Sequence, residues 1–180
     1  MKKRISTKTL VMASLLIALQ IVFTRIISIE SGPIRISLGF FPIAVAGMLF
    51  GPLGGGFVGV LADILGMLLF SRGNIYFFPF TISEFLYGFG FGLMLHTKRI
   101  SFCRITVFTI IQFVLLNLLL NSFWNYLYSI YVTGVPQGFF VIFSMRITTA
   151  LLNLPMQIAG VYLICRYLRK PLKNFGWQKG

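Results

Sequence analysis

Acidic side chains are almost missing from this sequence: its 180 residues include 3 Asp and Glu, against 16 Lys and Arg, and a single histidine. Catalysis needs positioned acids, bases or nucleophiles, and Glu30, Asp63 and Glu84 are the only carboxylates to draw on, so an enzyme is not expected. The patterns GxxxxGK[ST], HExxH and GxSxG are absent as well. Without them, ATP-driven pumping by the chain itself, zinc proteolysis and serine-hydrolase chemistry have no residues to work with. The two cysteines, Cys103 and Cys165, make no CxxC and no Cys/His metal spacing, and are read as reduced thiols. No metal and no cofactor is expected. Charge is scarce overall, at 11% of residues, where a soluble domain carries about a quarter.

Apolar residues fill the gap. They make up 57% of the chain, aromatics make up 16%, and the mean hydropathy is +0.90. Lipid must therefore replace water over most of the surface, and the apolar runs have the length that crossing a bilayer requires. The pattern predicts an all-α integral membrane protein, one domain over 1–180, with six spans at about 9–29, 39–50, 54–70, 78–96, 104–131 and 139–168. A basic start followed by an apolar core imitates a signal peptide, but the run continues to Ile29, so it is read as a retained first span.

The net charge of +13 would suggest nucleic acid in a soluble protein, yet its placement argues for membrane topology. Lys2, Lys3, Arg4 and Lys8 form one cluster, Lys98, Arg99 and Arg104 a second, and Arg166, Arg169, Lys170, Lys173 and Lys179 a third. Each flanks an apolar segment, as cytoplasmic ends do. Six spans put all three clusters on one side, so both termini are expected in the cytoplasm, with loops 30–38, 71–77 and 132–138 outside. No nucleic-acid partner is expected.

Polar groups inside the spans are costly and carry the functional signal. Arg25, Glu84 and Arg146 all fall in the outer half of their helices. Arg25 is read either as a cavity residue or as snorkelling to the interface, and Arg146 as a pocket residue or the partner of Glu84. On helix 5, Asn117, Asn121, Asn125 and Tyr128 recur at spacings of one helical turn; on helix 6, Arg146, Thr149, Asn153 and Gln157 do the same. Two such stripes can line an outward-opening cavity, or they can only hydrogen-bond one helix to another. Tyr76, Phe78 and Trp124 lie at the same level, as belt residues or as stacking surfaces. Amides, aromatics and arginines together suit a flat heteroaromatic compound bearing carboxylates.

Small residues at four-residue spacing occur as Ser14/Ala18 with Ala13 beside them, Gly47/Gly51 and Gly55/Gly59. They permit close helix contact, either within the chain or with another membrane subunit. The glycines from Gly88 to Gly92 are read as packing, His96 as a capping or headgroup-facing residue, and Asp63 as a buried hydrogen-bond hub.

The stretches Arg35-Ile-Ser-Leu-Gly-Phe-Phe-Pro-Ile-Ala-Val-Ala-Gly-Met-Leu-Phe-Gly-Pro52 and Gly59-Val-Leu-Ala-Asp-Ile-Leu-Gly66 resemble the substrate-binding S components of energy-coupling factor (ECF) vitamin transporters. Phe78-Pro-Phe-Thr-Ile-Ser83 and the Gly88–Gly92 run resemble the folate-specific branch. The resemblance implies a bacterial cell-membrane subunit that binds folate from outside and associates with a membrane coupling subunit carrying two ATPases. Folate fits the cavity read from the residues, among Arg25, Tyr76, Phe78, Glu84, Asn121, Trp124, Asn125, Arg146 and Asn153, and the resemblance implies a coupling subunit against Ala13, Ser14 and Ala18. The rival readings are an S component for another small vitamin or precursor, and a ligand-free membrane scaffold or assembly protein.

Overall fold

The fold was analysed in a computed structural model that describes residues 6–31, 34–71, 75–96, 101–134 and 138–174. Lys2, Lys3, Arg4, Lys98, Arg99, Lys179 and the turn at 135–137 lie outside the described residues. Helix α1 (Thr7–Ile21) continues as a π-helical stretch, Val22–Ile26. Strands β1 (Ile29–Ser31) and β2 (Ile34–Ile36) pair antiparallel, with Glu30 opposite Arg35. Then come α2 (Phe40–Leu69), α3 (Phe78–Leu95) and α4 (Phe102–Gln112). A second π-helical stretch, Phe113–Leu120, leads into α5 (Asn121–Tyr131), and α6 (Phe139–Asn174) ends the described chain. The first expected span thus stops at Ile26, and the polar segment after it is a hairpin rather than an irregular loop, a local exception to an otherwise helical chain.

Five helices among the described residues are long and apolar enough to cross a membrane. Spans 39–50 and 54–70, expected as separate helices, form the single element α2, interrupted at Gly51 with φ 77° and ψ −170°. Only glycine adopts that backbone readily, and Pro52 next to it cannot continue a hydrogen-bonded helix. Residues on either side of the break come together. A Cβ on Gly55 would lie 2.8 Å from the Cα of Gly47, and one on Gly59 would lie 3.0 Å from Ile43. Residues eight apart in a straight helix are about 12 Å apart, so the two arms of α2 fold back on each other.

Both arms also press on α3 with no side chain between. A Cβ on Gly47 would lie 2.6 Å from the Gly92 nitrogen, and one on Gly59 would lie 2.6 Å from the Glu84 carbonyl. Gly88 and Gly55 meet in the same way. The glycines of α2 and α3 are therefore spent on internal packing, where backbones must approach in the absence of a hydrophobic drive between helices. His96 closes this contact as a cap: its Nδ1 lies 3.0 Å from the Met48 carbonyl oxygen.

Leu95 and Met94 of α3, Ile105 of α4 and Ile164 and Cys165 of α6 join Met48 in the main apolar core. A second core sets Leu16 of α1 on Ala46, Leu49 and Val58 of α2. The start of α1, the end of α3, the start of α4 and the second half of α6 therefore meet at one end of the bundle. At the opposite end polar residues and aromatic rings gather together.

Candidate functional site

At that opposite end every helical segment but α4 contributes to a cavity of about 480 Å³. Gln20 reaches it from the end of α1, Thr24 and Arg25 from the π-helical stretch that follows, Phe40 and Ile43 from the start of α2, and Asp63 and Met67 from its end. The loop before α3 adds Tyr76 and Phe77, and α3 adds Phe80, Ser83, Glu84 and Tyr87. The π-helical stretch and α5 supply Asn117, Asn121, Asn125 and Tyr128; α6 supplies Arg146, Thr149, Asn153 and Gln157. Both polar stripes thus face one cavity. π-Helical turns of the kind found at 22–26 and 113–120 recur at functional sites, and both stretches contribute to this wall.

Two polar networks shape the walls. In the first, Arg25 Nη2 lies 3.5 Å from Asp63 Oδ1, and Thr81 Oγ1 donates to Asp63 Oδ2 at 2.7 Å. The Tyr76 hydroxyl lies 2.7 Å from Thr81 Oγ1, which carries the chain of contacts to the loop before α3. Arg25 is therefore held inside by an ion pair rather than snorkelling outward, and Asp63 is the hub of the network.

In the second network, the Tyr87 hydroxyl accepts from Asn117 Nδ2 at 3.1 Å and from Gln157 Nε2 at 2.6 Å. Gln112 Nε2 donates to the Tyr87 carbonyl at 2.7 Å, and Arg146 Nη1 donates to the Asn117 carbonyl at 3.1 Å. The Tyr87 phenol thus ties α3 to the π-helical stretch at 113–120 and to α6, and its backbone carbonyl ties α3 to α4. Tyr87→Phe would strand two amide donors, so it is expected to lower stability by about 1–3 kcal/mol. Thermal unfolding in detergent measures that loss, and an unchanged midpoint would show that the amides find other partners.

Aromatic rings gather between the networks. Phe77 lies edge-on to Phe80 and to Tyr128, with ring centroids 5.6 and 5.7 Å apart. Among the described residues, no group of three or more His, Cys, Asp or Glu could hold a metal ion.

A family model described as "ECF transporter, substrate-specific component" matches residues 8–165. The chain belongs to this family of S components. It is 37% identical over 147 residues, 82% of this chain and 81% of the relative, to a protein named folate transporter FolT from Clostridium novyi (strain NT). A crystal structure of FolT bound with folic acid matches with a TM-score of 0.79 at 30% identity, over 89% of this chain and 94% of that one.

Seven of the nine binding residues expected from the sequence line the cavity of this S component: Arg25, Tyr76, Glu84, Asn121, Asn125, Arg146 and Asn153. Two do not. Phe78 is 62% exposed on the outside of α3. Trp124 stands behind the wall, its Nε1 donating to Ser83 Oγ at 3.1 Å. Aromatic type alone does not give rotational phase; the stripe Phe77, Phe80, Glu84 and Tyr87, at helical spacing around the one acidic residue of α3, would have given it. Gln20 was missed inside an apolar run, although Thr24 one turn later shares its face. Of the small residues on α1, Ala13 packs against the core with α2, while Ser14 and Ala18 are exposed on the outer face, the Ser14 hydroxyl turned back to the Leu10 carbonyl at 3.0 Å.

Proposed function

We propose that this S component captures folate from outside a bacterial cell and delivers it through an ECF-type importer. The observation that carries this reading is a cavity whose wall matches the three parts of folate. A volume of about 480 Å³ lies within the ~300–1,000 Å³ typical of small-molecule sites. Asn121, Asn125, Asn153 and Glu84 suit the edges of the pterin ring. The Phe77, Phe80 and Tyr128 rings suit its aromatic middle, and Arg25 and Arg146 suit the glutamate carboxylates. The folic acid held by the FolT structure and the name of the Clostridium relative support the same substrate.

The chain crosses the membrane six times in this reading, with both termini in the cytoplasm. The reversal at Gly51 and the basic clusters at the chain ends support that count. A membrane coupling subunit with two ATPases supplies the energy, in keeping with the missing P-loop. The coupling subunit docks on the α1 face that bears Ser14 and Ala18, with Ala13 at its edge. Calorimetric titration of the purified, detergent-solubilised chain with folic acid and with a reduced folate tests the proposal. Tight one-to-one binding is expected. A flat trace from folded, ligand-free protein would remove folate, and a vitamin panel would then separate another substrate from a ligand-free scaffold.

A further inference from the structure

Gln20 is a polar residue in a mostly apolar helix, and burial makes it costly. Its side chain is 4% exposed and lines the cavity, yet its Oε1 is buried with no hydrogen-bond partner among the described residues. Asn121, on α5, repeats the pattern: it lines the same cavity, and its Oδ1 is buried and unpartnered. A carbonyl oxygen left without a donor costs free energy that an apolar side chain of the same size avoids. Two such oxygens, brought to one cavity from separate helices, are both acceptors. An occupant that completed them would have to bring N–H donors. The terminal torsion of glutamine is soft, so its oxygen can turn toward an occupant while α1 stays in place.

We propose that Gln20 is a specificity-determining residue that accepts a hydrogen bond from a ring N–H of the bound compound, with Asn121 as a second acceptor. The cavity then selects flat heteroaromatic rings that carry amino or lactam N–H groups and rejects rings that offer only acceptors. This deepens the folate reading and rests on it: the pteridine of folate sets an exocyclic amine beside a lactam N–H. Recognition of the ring is assigned to these amides together with Glu84, leaving the arginines for the carboxylates.

Gln20→Met keeps the volume of the side chain and removes the amide. The full chain, wild type and variant, is titrated with folic acid and with pteroic acid, which keeps the ring but lacks the glutamate. Thermal unfolding of both proteins is measured without ligand. The variant is expected to lose about tenfold in affinity for both compounds, while its ligand-free midpoint stays equal or rises, because an orphaned acceptor has gone. A fall in the ligand-free midpoint would mean that the amide serves the fold, and would overturn the proposal. Unchanged affinity for both compounds, or a loss confined to folic acid, would overturn it too. Wild-type protein that binds neither compound would instead remove the folate reading on which the proposal rests.

Discussion

Gly88→Val is expected to leave little folded protein. A Cβ at position 88 falls against the Gly55 carbonyl, with the Gly55 carbon at 2.5 Å and the Gly56 nitrogen at 3.0 Å. All of these atoms are backbone, so no side chain can swing aside; the helices must separate. Separation opens the neighbouring contacts in turn, because Gly47 and Gly92 meet one turn further along and Gly59 meets the Glu84 carbonyl on the other side. Overpacking of this kind costs about 1–3 kcal/mol where a core can adjust. Here the rigid atoms put the cost above that range. The yield of monodisperse protein in detergent and its unfolding midpoint measure the effect. Gly138→Ala is the control, since its Cβ would meet nothing closer than Val141 at 3.7 Å. If Gly88→Val unfolds no more easily than Gly138→Ala, close contact of α2 with α3 is not what holds this half of the bundle together.

Much of this architecture was legible in the sequence because the bilayer restricts what the chain can do. Spans announce themselves as apolar runs, and a glycine-proline pair between two runs marks a reversal. The stripes on α5 and α6 were legible for a related reason: asparagine is expensive in lipid, so four polar residues on one face must turn inward. Contacts between distant segments were not legible. Nothing near Arg25 in the sequence points to Asp63, 38 residues away, and Tyr87 gives no sign that two amides converge on its hydroxyl. Phe78 and Trp124 show the limit for aromatics, which are equally at home against lipid and in a cavity wall. The hairpin of β1 and β2 escaped notice because its strands are three residues each, too short to show an alternating pattern.

Arg146→Ala is expected to weaken folic acid binding by more than tenfold while the protein stays folded. Arg146 lines the cavity at the start of the polar stripe of α6, about two turns into the helix and too deep for its charge to reach the interface with ease. Its Nη1 donates to the carbonyl of Asn117 at 3.1 Å, on the π-helical stretch. Guanidinium and carboxylate pair through two parallel hydrogen bonds, and about 1.4 kcal/mol from such a pair is the equivalent of tenfold in affinity. Arg25 makes the useful comparison. It shares an ion pair with Asp63, so Arg25→Ala leaves a carboxylate uncompensated in a largely enclosed place and is expected to lower the ligand-free midpoint. A loss of affinity in either variant is therefore read beside its ligand-free midpoint, which separates lost contact with the ligand from lost stability. Calorimetry with folic acid on folded variants, each checked by thermal unfolding, gives both quantities. Unchanged affinity in Arg146→Ala would take this arginine out of the folate site and return it to the simpler task of holding α6 against the π-helical stretch at 113–120.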